Sequence, residues 1–286
     1  MFVQYKTVSI NGINIFYREA GNTSNPTILL LHGFPSSSHM YRNLINKLMG
    51  EYHVIAPDYP GFGNSDQPVM TEFEYTFDNL ALLINKFVEK LQLEKFSLYI
   101  QDYGAPVGLR LAAKHPERIQ TIITQNGNAY EEGLLSAWDP VRAYWENSTE
   151  ENKNNLYALL SADTTKYLYT HGTRHPDRIS PDAWNMDQFV LERTDNKEIQ
   201  ISLLYDYRNN LIKYPSWQEY FRIHQPPTLV AWGKNDPFFG PEGALAYQKD
   251  LKDCEVHLLN TGHFALEEDL DVITNLIKQF LGERLR

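Results

Sequence analysis

A chain of 286 residues, 42% of them hydrophobic, can bury one large core, with or without an inserted segment. Its net charge of −10 argues against nucleic acid or an anionic membrane surface as a partner. The single cysteine, Cys254, excludes an internal disulfide, and there is neither a basic, apolar leader nor an apolar run of about eighteen residues; the expectation is a soluble, cytoplasmic protein.

The first predicted element is a β-hairpin: Asn11-Gly12 lies between alternating residues in Ser9-Ile-Asn-Gly-Ile-Asn-Ile-Phe16. Thr27–Leu31 is an apolar run of buried-strand type and gives out into His32-Gly33-Phe34-Pro35, where a glycine lets the backbone turn tightly and present an N–H. A strand over Tyr52–Pro57 leads into the loop Asp58–Ser65, read as mainly structural. Asp78–Leu91 carries apolar residues at helical spacing: Leu80, Leu82, Leu83, Ile84, Phe87, Val88 and Leu91. The strand Ser97–Gln101 then runs into Asp102-Tyr103-Gly104-Ala105, and a helix over Pro106–His115 is closed by Pro116. A strand follows at Thr121–Thr124.

From residue 129 to 226 strand-like runs disappear and aromatic and polar residues interleave at helical spacing, so this segment is read as a helical cap. It separates a first core part, residues 1–128, from a second, residues 227–286, with strands at Thr228–Trp232 and Cys254–Leu259. Alternating strands and helices predict an α/β fold with a mostly parallel sheet covered on both faces. Rings in the cap suit an apolar substrate, although most of them are expected simply to pack cap on core.

Strand, sharp turn and helix around Asp102 form the setting of a nucleophile elbow, with a carboxylate where many hydrolases have a serine. An attacking carboxylate leaves an ester that water can cleave at the carboxylate carbon. A serine attacking a saturated carbon would leave an ether. Asp102 therefore points to an electrophilic saturated carbon, as in epoxides and alkyl halides. Asp236 follows the strand ending at Trp232, and His263 follows the strand ending at Leu259, so nucleophile, acid and histidine occur in the order of the α/β-hydrolase arrangement. The backbone amides of Phe34 and Tyr103 are the expected oxyanion-hole donors.

The chain resembles an α/β-hydrolase of the epoxide hydrolase and haloalkane dehalogenase group. The resemblance rests on His32-Gly-Phe-Pro35, Asp58-Tyr-Pro-Gly-Phe-Gly-Asn-Ser65, Gln101-Asp-Tyr-Gly-Ala105, Trp232-Gly-Lys-Asn-Asp236 and Gly262-His263, and covers the chain except its middle. Within the middle, Tyr205-Asp-Tyr207-Arg-Asn-Asn210 is similar to the epoxide hydrolase segment whose tyrosine donates to the epoxide oxygen, which places that role on Tyr207. Many such enzymes use two tyrosines; the second is expected at Tyr144, ahead of Tyr130, Tyr167 and Tyr169. Haloalkane dehalogenases commonly carry Trp after the nucleophile and often Asn after His-Gly, where this chain has Tyr103 and Phe34. Fluoroacetate dehalogenases place arginines where Tyr103 and Pro106 stand.

The resemblance therefore implies an epoxide hydrolase. A haloalkane dehalogenase is the alternative, with Trp138 or Trp145 serving a halide from the cap, and a non-catalytic ligand-binding relative is the second. No Gly-x-Ser-x-Gly occurs, which speaks against a serine esterase. The expected partners are a small apolar organic substrate and water, for a monomer or homodimer. No cofactor or metal is expected, since Gly172 and Pro176 interrupt any helix that would carry His171 and His175 as ligands.

Overall fold

Asn11 and Gly12, both at positive φ (53° and 85°), turn β1 (Gln4–Ile10) back onto β2 (Ile13–Ala20). That is the backbone a two-residue hairpin turn requires. The computed structural model describes residues 2–285. The remaining strands are β3 (Thr27–Leu31), β4 (His53–Pro57), β5 (Phe96–Gln101), β6 (Ile119–Gln125), β7 (Thr228–Gly233) and β8 (Cys254–Leu259). They form one sheet in the order β1-β2-β4-β3-β5-β6-β7-β8, antiparallel from β1 to β4 and parallel from β4 onward.

Ile28 to Leu31 on β3 and every residue of β5 and β7 are buried, as expected of strands covered on both faces. The helices of the first core part are α1 (Arg42–Leu48), α2 (Phe77–Lys90) and α3 (Gly104–Lys114). Thr76 caps α2 by accepting from the Asn79 N–H, and its core face buries Leu80, Leu83, Ile84, Phe87 and Val88. Leu82, counted with the apolar stripe in the sequence, is 45% exposed, because it falls off that face.

Between β6 and β7 the chain forms α4 (Asp139–Glu146), α5 (Glu150–Tyr157), α6 (Ala162–Thr170), α7 (Pro181–Leu191), α8 (Asn196–Asp206) and α9 (Arg208–His224). Among the described residues this segment contains no strand, only an isolated bridge from Leu134 to Phe239. Polar contacts tie it to the core: Asn196 donates to the Gly61 carbonyl, Arg193 to the Gly63 carbonyl, and Asp206 accepts from the Phe77 N–H. After β7 come α10 (Pro241–Ala246) and α11 (Ala265–Arg284).

The strand order decides where a site can lie. From β3 the chain steps outward to β4, then crosses back to place β5 on the other side of β3. A crevice opens at the carboxyl ends of β3 and β5, where the connections diverge. Among the described residues, no helix is long and apolar enough to cross a membrane.

Candidate active site

β5 ends at Gln101, and Asp102 stands at the turn into α3 with φ 48°, in the left-handed region. Asp tolerates that region better than most residues. Gly104 makes the turn fit, since a Cβ there would lie 2.0 Å from the Leu31 carbonyl oxygen. Asp102 is thereby held at the carboxyl end of the sheet, buried, facing the loop after β3. Its Oδ1 accepts from the Phe34 N–H at 2.6 Å, and the Tyr103 N–H also bonds the carboxylate. Gly33 permits the approach, because a Cβ there would lie 2.2 Å from the Asp102 Cβ.

Burial pushes the Asp102 carboxyl up to about 6, against the lowering effect of His263 and the two backbone donors. If Asp102 attacked a substrate, Oδ1, held by the Phe34 amide, would leave Oδ2 as the attacking oxygen. Were Oδ2 esterified, Oδ1 would become the carbonyl oxygen, already beside the Phe34 donor that could stabilise it as an oxyanion.

His263, in the loop after β8, is buried, with Nδ1 2.7 Å from Asp236 Oδ2. Asp236, past the end of β7, is itself held: Oδ1 accepts from the Phe238 N–H and Oδ2 from the Asn126 side chain, both at 2.8 Å. Burial disfavours the charged ring, but the Asp236 charge, its hydrogen bond and the Asp102 charge outweigh burial and raise the His263 pKa. His32 is a different case. Burial lowers it to about 3, so it is neutral; its Nε2 accepts from the Tyr59 N–H and its Nδ1 contacts the Gly33 carbonyl, steadying the donor loop.

These groups floor a cavity with about 30 Å³ of space for the centre of a water molecule, room for about two waters. Around Asp102 and His263, its walls include Phe34, Tyr103, Trp138, Leu168, Leu204 and Phe238. Trp138 is 2% exposed, and its indole Nε1 has no hydrogen-bond partner. The Trp145 indole instead donates to the Leu204 carbonyl at 2.8 Å.

Tyr207 lies behind the wall, its ring centroid 4.3 Å from that of Trp138 and 6.1 Å from that of Tyr103. Its hydroxyl is 3.4 Å from that of Tyr214, which also accepts from Asn128. Burial, the Tyr214 hydroxyl and the Asp102 charge hold Tyr207 well above the usual phenol range, so it stays a donor. Tyr144 is not brought to the cavity. It is half-buried, and its ring packs on Tyr205, 5.0 Å away. Tyr214 is the tyrosine that meets Tyr207.

Three polar groups of the site escaped the sequence reading of roles. Asn126 sits at the end of β6 with φ 49°, bonding Asp236 and both backbone groups of Gly233. It shares the strand-end position of Asp102 and Asp236, and that position was the available signal. Gln101, quoted only as part of the elbow, places its amide 2.9 Å from His263 Nε2. Tyr214 was visible only as one of the aromatic residues of the helical segment, and no spacing rule pairs residues seven apart across the junction of α8 and α9.

Known proteins resemble this chain along most of its length. The sequence profile described as the alpha/beta hydrolase fold matches residues 26–270. An uncharacterized hydrolase of Saccharomyces cerevisiae is 44% identical over 277 residues, covering 96% of this chain and 95% of that protein. Epoxide hydrolase 2 of Caenorhabditis elegans is 23% identical over 296 residues, covering 98% of this chain and 80% of its own. A mutant haloalkane dehalogenase of Agrobacterium tumefaciens C58 superposes with a TM-score of 0.82 at 20% identity, covering 98% of this chain and 97% of its own. The chain belongs to the α/β-hydrolase fold family, and it is a hydrolase.

Proposed function

We propose that this hydrolase opens an epoxide to a vicinal diol through an alkyl ester on Asp102. The observation that carries the reading is the split environment of the nucleophile: Oδ1 held by the Phe34 amide, Oδ2 free to attack, and His263 with its Asp236 partner alongside. In the first step Oδ2 attacks a ring carbon, the carbon–oxygen bond of the epoxide breaks, and the oxygen takes a proton or hydrogen bond from Tyr207. In the second, water attacks the ester carbonyl carbon, its proton passes to His263 Nε2, and Oδ1 becomes the oxyanion between the amides of Phe34 and Tyr103. Collapse breaks the bond to the alkyl oxygen, which takes the proton back from His263 and leaves as the diol, while the proton left on the new Asp102 carboxyl replaces the one Tyr207 gave to the epoxide oxygen.

Residues 129–226 act in this reading as a cap over the crevice, and the largely apolar lining suits a small apolar substrate. No cofactor enters any step.

Tyr207 and Tyr214, both buried and protonated, support an oxygen leaving group over a halide. Trp138 supports the second reading, haloalkane hydrolysis, because an unpartnered indole N–H in the cavity wall suits a departing halide. Both readings share the ester. His263→Gln should therefore form it and hydrolyse it slowly, and mass spectrometry after styrene oxide or 1-bromobutane should find the adduct on the Asp102 peptide. An epoxide adds whole, whereas a bromoalkane adds only its alkyl group, so the adduct identifies the reaction. An unmodified peptide with both reagents would remove the covalent mechanism.

A further inference from the structure

The nitrogen of His263 that must take the proton from water is not free in this structure. With Nδ1 turned to Asp236, Nε2 lies 2.9 Å from the amide nitrogen of Gln101, the residue directly before the nucleophile. Neutral imidazole accepts at Nε2 when Nδ1 carries the hydrogen, so the amide donates to the lone pair that does the chemistry. The other end of the same amide, Gln101 Oε1, is buried and has no hydrogen-bond partner. It lies beside Gly33, where a Cβ would come within 2.5 Å of it.

An unpaired buried acceptor is costly, and a carboxamide can exchange its two ends by half a turn about its last side-chain bond, a torsion that is broad and nearly two-fold. When His263 gains a proton, Nε2 becomes a donor, and the amide nitrogen facing it becomes the wrong partner. Oε1 is then the right one.

We propose that Gln101 is a positioning residue for ester hydrolysis: its amide donates to neutral His263 Nε2, then turns over to accept from the imidazolium. The proposal rests on the ester mechanism above, and it adds a gate. The resting base is covered, and the incoming water displaces the amide from Nε2. The protonated ring is then carried by Oε1 until the alkyl oxygen takes its proton back.

The charged groups facing His263 are Asp236, from the loop after β7, and Asp102, from the turn after β5. Phe239 and Phe264 pack on the ring as apolar neighbours. The backbone is held separately, with the Gln125 side chain donating to the His263 carbonyl at 3.2 Å. Changing Gln101 therefore leaves the loop's own anchor in place.

The test is Gln101→Met, which keeps the length and removes both ends of the amide, beside Gln101→Glu, which keeps only acceptors. His263 is titrated by NMR in the histidine-labelled protein, its signal assigned by its loss in His263→Gln. Hydrogen bonds to a charged group outweigh those to a neutral one, so an amide that serves both states favours the imidazolium on balance. Gln101→Met should lower the pH at which His263 titrates, and Gln101→Glu should raise it.

In single turnover of styrene oxide, Gln101→Met should form the ester at the parent rate and hydrolyse it about tenfold more slowly. An upward shift in Gln101→Met would show a fixed donor and overturn the turnover. No shift, or equal loss in both steps, would reduce Gln101 to a space-filling role. Ester formation itself reports that each variant is folded. If the parent forms no ester from any epoxide or bromoalkane, the ester mechanism fails, while the titration still decides what Gln101 does.

Discussion

Along the floor of the cavity two carboxylates are held by the backbone: Asp102 by the Phe34 N–H at 2.6 Å, and Asp236 by the Phe238 N–H at 2.8 Å. The helical segment contributes Trp138, Leu168 and Leu204 to the wall and sets Tyr207 and Tyr214 behind it. Its polar atoms face each other, as Tyr207 and Tyr214 do at 3.4 Å, or face nothing, as Trp138 Nε1 does. Backbone donors cannot rotate away, so the floor is preorganised, and in the proposed reading it serves one kind of step, the formation and cleavage of an ester. Side-chain donors on packed helices are exchanged by a single substitution. On that reading the floor sets the type of reaction and the wall the choice of leaving group.

The substitution with the largest expected effect on that division is Tyr207→Phe. With an epoxide, ester formation should fall by about 10²–10⁴-fold while ester hydrolysis stays at the parent rate, because only the first step needs the phenol. Tyr214, left facing the gap, would hold the loss to the lower end. Pre-steady-state turnover of styrene oxide separates the two rates; a uniform loss in both would mean that the wall also shapes the floor.

Trp138→Phe sharpens the same comparison from the other side. It keeps a ring beside Tyr207 and removes one N–H from the cavity. Bromide release from 1-bromobutane should fall about tenfold, as for loss of one hydrogen bond to a charged group, with a smaller change in diol formation. A larger loss on the epoxide would assign the indole to the oxygen and leave the halide reading without its donor.

The smallest effect is expected at the seam between the two regions. Asp187 on α7 accepts from the Tyr169 hydroxyl at 2.5 Å and from Ser36, two residues beyond the Phe34 donor, while the Tyr169 ring stacks on Phe264 beside His263. Burial pushes the Asp187 carboxyl up to about 7. The folded protein therefore binds a proton there that the unfolded chain has lost. Stability from this group is complete below the unfolded value near 3.8 and disappears as pH rises through about 7.

Asp187→Asn keeps a neutral acceptor, so its melting temperature relative to the parent should rise by a few degrees between pH 5 and pH 8. For a chain of this size about 1 kcal/mol moves Tm by about 2–4 °C. A difference independent of pH would show that Asp187 is ionised throughout.

The floor was legible in the chain because each of its parts is local. A run such as Thr27–Leu31 or Thr228–Trp232 is a buried strand from its own composition, and the polar residue just past its end is set at the edge of the sheet by a turn a few residues long. From Thr27 onward predicted and observed strands agree to within two residues at each end, and Thr27–Leu31 and Cys254–Leu259 agree at both ends, whereas the hairpin strands run beyond the predicted Ser9–Phe16. The order Asp102, Asp236, His263 then needed only the rule that ligands gather at the carboxyl ends of parallel strands.

The wall was legible only as helical and aromatic. Which ring meets which depends on how six helices cross, a matter of packing angles and rotamers that spacing along the chain does not encode. Tyr144 and Tyr214 are both aromatic residues on predicted helices. Only the packing turns the first onto Tyr205 and the second onto Tyr207. The same holds for Gln101, whose amide meets His263 across 162 positions, and for the Trp138 indole, left unpaired while that of Trp145 finds the Leu204 carbonyl. Sequence alone determined the strands, the elbow and the order of the reacting residues, because those follow from local periodicity and turn chemistry. Tertiary structure decided the partners, because a hydrogen bond between distant side chains exists only once the elements carrying them are packed.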